Sequence, residues 1–170
     1  SFTELRQMLR RAVLETEGPV AVRYPRGGEN GYTGAWDGGA VRVLREGRDA
    51  AIVTCGILTG EALRAAETLE EKGVSVRVIK VDRVSPLDGG ALCGALAGVK
   101  RLVAAEDQLR AGGLGERVSA LLLERGTDIE RVLLRNAGAA LPSQGGTAQL
   151  WHALGLDAEG IAQAVREVLA

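Results

Sequence analysis

Aliphatic runs and helical repeats alternate along this 170-residue chain, and their order predicts its elements. Leu5, Met8, Leu9, Ala12 and Val13 recur at helical spacing, giving one apolar stripe up to about Thr16. Ser1 and Glu4 stand at the spacing of a capping box, in which each side chain satisfies backbone donors at the helix start. Pro19-Val20-Ala21-Val22, running on to Tyr24, reads as a short buried strand that completes a helix–strand unit. Six glycines, Asn30, Asp37, Tyr32 and Trp36 follow between Gly27 and Gly39, the composition of a linker that its aromatics pin to a surface.

Beyond residue 40 strand and helix patterns alternate. Strands are predicted at Ala40–Leu44, Ala50–Thr54, Val74–Val81, Arg101–Ala105 and Glu130–Leu134. Helices are predicted from about Leu58 to Lys72, through Leu96, over Gly113–Arg125 and Thr147–Leu154, and over Ala158–Leu169 behind an Asp157 cap. Gly73 ends the first of these as a left-handed residue would. Ser85-Pro86 supplies a cap with proline at the first helical position for the second. Strands separated by such helices pair in parallel through right-handed crossovers. The Val41 strand precedes a tight turn and is the natural antiparallel edge partner. The expected fold is a three-layer α/β/α domain of about five strands, mostly parallel, behind a helix–strand tail.

Composition narrows the function. Hydrophobic residues make up 46% and aromatics 3%, so the core is aliphatic, as suits a parallel sheet covered by helices. A formal charge of -1, with Lys and Arg scattered, argues against nucleic acid or an anionic membrane as partner. Cys55 and Cys93 lack metal-ligand spacing and read as small hydrophobes in a reducing compartment. A single histidine, His152, leaves no zinc site or serine triad easy to build. No apolar run approaches membrane-spanning length, and a chain opening on Ser1 reads as a piece of something longer.

Val22-Arg23-Tyr24-Pro25-Arg26-Gly27-Gly28 carries the main chemical signal. Two guanidinium groups stand where a strand leaves a sheet, where open α/β sheets place ligands. Each offers a planar fork of donors matched to phosphate or carboxylate; the alternative is an ion pair with a nearby Asp or Glu. Gly112-Gly113-Leu114-Gly115 falls at a helix start able to bind an anion, although close helix–strand packing explains it better. Glu106 and Asp107 point to opposite faces and cannot act as an acid/base couple, and Glu106 reads as structural. Asp82-Arg83 marks a structural ion pair at a strand mouth, and Trp151 and His152 pack or face solvent.

Taken in order, Gly18-Pro19-Val20-Ala21-Val22-Arg23-Tyr24-Pro25-Arg26-Gly27, Ala51-Ile52-Val53-Thr54-Cys55-Gly56, Val84-Ser85-Pro86-Leu87-Asp88, Glu106-Asp107 with Gly112-Gly113-Leu114-Gly115, Gln144-Gly145 and Leu154-Gly155-Leu156-Asp157-Ala158-Glu159-Gly160-Ile161 resemble the 1-deoxy-D-xylulose-5-phosphate synthase family of the transketolase superfamily. The resemblance implies three parts: residues 1–27 as the tail of a pyrimidine-binding middle domain, 28–39 as a linker, and 40–170 as a transketolase C-terminal domain. It implies a cytoplasmic, homodimeric parent enzyme that uses thiamine diphosphate and Mg2+ to condense pyruvate with glyceraldehyde 3-phosphate, releasing CO2. It assigns Arg26, and less strongly Arg23, to the sugar phosphate acceptor, and no catalytic, cofactor or metal residue to this chain. The Gly-Asp-Gly motif that holds the diphosphate and Mg2+ in that superfamily is missing, as is the activating glutamate's segment. The chain alone is therefore expected to be inactive and to need the remaining N-terminal domains. Gly146 stands where the family has a small hydroxyl residue, a departure at that loop. The other readings are a C-terminal subunit of a transketolase-like enzyme with another acceptor, and a non-catalytic dimerisation or regulatory module.

Overall fold

The computed structural model describes residues 1–140 and 142–170. The chain runs α1 (Phe2–Leu14), β1 (Val41–Arg45), β2 (Ala50–Thr54), a 3-10 turn (Gly56–Leu58), α2 (Thr59–Glu70), β3 (Val76–Val81), α3 (Gly89–Leu96), β4 (Arg101–Ala105), α4 (Leu114–Glu124), β5 (Arg131–Arg135), α5 (Thr147–Leu154) and α6 (Ala158–Leu169). The five strands lie in the order β1-β3-β2-β4-β5, all parallel except β1, which runs antiparallel to β3 at the edge.

Period-two alternation along the strands builds two cores. Ala50 and Ile52 with Val76, Val78 and Val103 face α2 and α6, where Ala62, Ala66, Leu69, Ile161, Val165 and Val168 meet them. Ala51 and Val53 with Ile79 and Leu102 face the other way, against Leu92 and Leu96 of α3 and Val118 and Leu122 of α4. β2 is buried along its whole length because it has a neighbour on both edges and a helical layer on both faces. That centrality sends β1 to β3: β3 and β4 already flank β2, so the turn after β1 must cross the start of β3. Gly47 makes the crossing, since a Cβ there would lie 2.2 Å from the Val76 carbonyl carbon.

Three expectations are corrected. Pro19–Tyr24 forms no strand, and Val20 and Tyr24 are exposed. The segment pairs with neither edge strand of the sheet, β1 or β5, each of which is bonded on one side only. Ser85-Pro86 does not open α3; residues 84–87 form a turn, and Asp88 is the cap, its Oδ1 accepting from Ala91 N–H at 3.0 Å. The third strand begins at Val76, not Val74, because the Val74 N–H is spent closing α2 on the Leu69 carbonyl.

α1 forms with both halves of its capping box in place, and it sits polar side in. Glu4 is its one buried residue, while Phe2, Leu9, Val13 and Leu14 are exposed. Of its apolar stripe, Leu9 and Val13 face away from the α/β body, while Leu5, Met8 and Ala12 are half-buried.

Candidate functional site

A network of buried charges gathers at the C-terminal end of β3. Lys80, next to last in β3, shares the face of Val76 and Val78 and is 3% exposed. A cation there needs a partner, because burying an unpaired charge is far costlier than burying a paired one. Glu4 supplies it from α1, with its Oε1 3.0 Å from Lys80 Nζ and its Oε2 3.0 Å from the Ser1 amine. Arg42 of β1 pairs with both Glu4 and Asp82, its Nε 2.6 Å from Asp82 Oδ2, and Lys80 also pairs with Asp82. Burial works against the Glu4 carboxylate, yet the charge of Lys80 and the hydrogen bonds from the Ser1 amine, Lys80 and Arg42 prevail, holding its pKa below the ordinary value. Arg42 is held the more firmly protonated by its bonds to Asp82 and Glu4, although burial opposes them.

Residues 28–39 lie over this network as a strap. The Lys80 ammonium sits 5.7 Å from the Tyr32 ring centre and the Arg11 guanidinium 5.2 Å from that of Trp36. Trp36 donates its indole N–H to the Gly39 carbonyl at 2.8 Å and its backbone N–H to Gln7 Oε1 at 2.7 Å. Ser1 Oγ donates to the Gly34 carbonyl at 2.6 Å. Asn30 is tied to α2: its Nδ2 donates to Glu61 Oε1 at 3.0 Å and to the Ile57 carbonyl at 3.3 Å, and its Oδ1 accepts from Arg64 Nη2 at 3.2 Å. Glu61 Oε2 in turn accepts the Ala158 N–H that opens α6, at 2.9 Å.

Arg23 and Arg26 lie in the loop between α1 and this strap. Both are exposed, and among the described residues neither has an ion-pair or hydrogen-bond partner. Arg23 comes near enough to Cys55, at the end of β2, to influence its thiol. Burial chiefly, with Glu106 and Asp107, pushes that thiol up to about 12 against the pull of Arg23 and Lys80, so Cys55 stays protonated.

The Gly-Gly-Leu-Gly run shows why its anion-binding geometry is closed to outside ligands. Glu106, 1% exposed at the end of β4, accepts from Leu114 N–H at 2.6 Å and Gly115 N–H at 2.8 Å. The chain's own carboxylate fills the start of α4, where an external anion would sit. A Cβ at Gly113 would stand 2.5 Å from Glu106 Oε1, and one at Gly115 2.8 Å from Leu134 Cδ2, so both glycines serve close packing. Burial raises the Glu106 pKa despite these two backbone donors. Asp107 is exposed. His152 Nδ1 lies 2.7 Å from Asp157 Oδ2, and that bond raises the pKa of an exposed imidazole remote from the arginines in sequence.

Lys80, Glu61 and Asn30 are absent from the sequence-level candidates. A lysine inside Val76–Val81 is the visible signal for Lys80, since a strand otherwise buried does not carry a charge without a partner. Asn30 had no such signal. Among the described residues no cluster of His, Cys, Asp and Glu is able to hold a metal ion, and no helix is long and apolar enough to cross a membrane. A shallow cleft of about 370 Å³, lined by Arg48, Asp49, Lys100 and Arg101, lies at the opposite, N-terminal edge of the sheet.

The sheet is doubly wound with one antiparallel edge strand, and residues 39–161 match the family model described as transketolase, C-terminal domain. The chain belongs to that family. It is similar to the 1-deoxy-D-xylulose-5-phosphate synthase 1 of Geobacter sulfurreducens, with 38% identity over 98% of the chain and 27% of that protein. It is also similar to the synthase of Gloeobacter violaceus, with 34% identity over 98% of the chain and 27% of that protein. The chain thus spans about a quarter of the length of these relatives. Among solved structures, one titled "Split gene transketolase, inactive beta4 tetramer" aligns with a TM-score of 0.68 and 30% identity, over 79% of this chain and 44% of that one.

Proposed function

We propose that this chain is the C-terminal part of a 1-deoxy-D-xylulose-5-phosphate synthase and that it binds the phosphorylated acceptor through Arg26. The observation that supports this most is the similarity to synthases over 98% of the chain, through the Arg-Tyr-Pro-Arg segment and the closing Gly-Leu-Asp run. In the assembled enzyme pyruvate and glyceraldehyde 3-phosphate condense with loss of CO2. Thiamine diphosphate with Mg2+, bound by other domains, supplies the carbanion chemistry. This chain's own contribution is binding and orientation. Arg26 offers a charge-assisted hydrogen bond to the acceptor phosphate, and Arg23 adds to the field at the rim.

Residues 1–27 belong with the preceding domain and 40–170 form the C-terminal domain, joined by 28–39. The outward apolar residues of α1 support this division, because Phe2, Leu9 and Val13 are left exposed among the described residues. The parent is a cytoplasmic homodimer, and the isolated chain is inactive. A split-subunit arrangement is the second reading, favoured by the likeness to a split-gene transketolase.

Two measurements test the proposal. Supplying the missing N-terminal part, fused or as a second chain, restores thiamine-dependent turnover of pyruvate with glyceraldehyde 3-phosphate; no turnover with a folded complex refutes it. In that enzyme Arg26→Ala raises the acceptor KM by about ten- to a hundredfold, the equivalent of a charged hydrogen bond of roughly 1.5–3 kcal/mol, and leaves the pyruvate KM alone. An unchanged acceptor KM removes Arg26 from the site.

A further inference from the structure

We propose that Asn30 is a positioning residue, locking the strap onto α2 so that Arg26 is held at the rim of the sheet where a phosphorylated acceptor binds. The inference rests on the assignment of Arg26 to that acceptor.

Among the described residues, 17–28 make no hydrogen bond to the α/β body. The loop is instead held at its two feet. One is α1, fastened by Glu4 to Lys80 and Arg42 and joined to the strap where Phe2 N–H donates to Glu29 Oε1. The other is Asn30, the first residue after the loop that ties directly into the α/β body. Its amide is used at both ends: two donations, to Glu61 and the Ile57 carbonyl, and one acceptance, from Arg64. Neither Asp nor Ala reproduces that set, since Asp lacks the donors and sets a second negative charge beside Glu61. Glu61 is itself 7% exposed and fixed by the start of α6, so the amide is tied to a rigid point.

The fold also gives something up for this contact. Gly60 occupies the second position of α2, where glycine is a poor helix former. A Cβ there would stand 1.7 Å from the Asn30 carbonyl oxygen. The glycine therefore admits the strap backbone and serves no other contact of that closeness.

Geometry sets the size of the effect. Arg26 and Asn30 lie four positions apart, a tether of at most ~14 Å. Without the Asn30 tie, the next bond from the strap to the α/β body is the one its Ala35 carbonyl accepts from Arg42 of β1, about twice as far along the chain from Arg26. Effective concentration falls as the −3/2 power of tether length or more steeply, which gives about a threefold loss for a doubled tether and more if orientation is lost too.

The test is made in the assembled synthase, comparing Asn30→Ala and Gly60→Ala with the unsubstituted enzyme and with Glu167→Gln, which alters a remote surface pair with Arg135. Steady-state rates are measured with glyceraldehyde 3-phosphate and with unphosphorylated glyceraldehyde. The expected result for both strap variants is a three- to tenfold rise in KM for the phosphorylated acceptor. Their kcat stays within twofold, with pyruvate KM and the rates on glyceraldehyde unchanged, as in Glu167→Gln. Should Asn30→Ala not accumulate, Asn30→Asp keeps the shape and gives the same split. Equal losses on both acceptors overturn positioning in favour of a general structural defect. An unchanged acceptor KM in both strap variants, with Arg26→Ala still impaired, overturns the role of Asn30 alone. If Arg26→Ala is itself without effect, the acceptor assignment fails and the inference falls with it.

Discussion

Glu4→Gln removes one charge and almost no volume from the network that docks α1. In the wild-type chain the Glu4 carboxylate, in a residue 3% exposed, meets Lys80, Arg42 and the Ser1 amine. Breaking one member of a buried ion pair costs about 3–5 kcal/mol when the remaining charge is left alone. Here Asp82 still faces both Lys80 and Arg42, so the two cations keep one carboxylate between them. The expected cost is therefore lower, about 2–3 kcal/mol, comparable to a charged hydrogen bond lost in a buried place. It falls on the docking of α1 first, because α1 contributes no apolar residue to either core. Amide hydrogen exchange of residues 5–14 measures that docking directly, and urea unfolding followed by circular dichroism gives the global value. The same docking depends on pH. Glu4 has a lower pKa folded than unfolded, so its contribution is complete above the unfolded carboxylate range and is lost as pH falls through the folded value, from about pH 5 downward. The variant should be flat over that interval. Exchange in α1 that is as slow in Glu4→Gln as in wild type, with unfolding unchanged to within 0.5 kcal/mol, would refute the reasoning.

Further outcomes follow at Glu106 and at His152. Glu106→Ala leaves the Leu114 and Gly115 N–H groups buried and unpaired at the start of α4, and should lower unfolding stability by about 2–4 kcal/mol; Gly113→Ala, which drives a Cβ against Glu106, should cost about 1–3 kcal/mol by denaturant titration. His152 should titrate above its ordinary value in an NMR pH series, its bond to Asp157 contributing stability below the unfolded pKa and losing it as pH rises through the folded one. Asp157→Asn should bring the imidazole back toward its ordinary pKa, and an unmoved titration would show that the Asp157 contact does not form in solution.

The α/β body was legible because its signals are local. Ala50–Thr54 and Arg101–Ala105 stand as uninterrupted aliphatic runs, and Ala158–Leu169 carries its own Asp157 cap, so these elements needed no partner to be read. The error at Pro19–Tyr24 has the opposite cause: a strand exists only when another strand pairs with it, and none of the five strands pairs with that segment. The Ser85-Pro86 signal failed because two capping residues, Ser85 and Asp88, compete within four positions, and only Asp88 has its side chain on a following N–H.

Arg23 and Arg26 were visible as residues, since two guanidinium groups around Tyr-Pro are conspicuous in any reading. Their surroundings were not. Glu4 with Lys80, and Asn30 with Glu61, are separated by 76 and 31 positions, and no periodicity links such pairs. The sequence by itself determined the order of elements, the aliphatic core and the caps, because each rests on neighbours within a few residues. Only the tertiary structure decided that α1 turns its polar side inward, that β1 passes β2 to join β3, and that Glu106 occupies its own helix start. Those outcomes depend on which buried charge finds a partner across space and on which sheet edge remains open, and neither is written in any short stretch of chain.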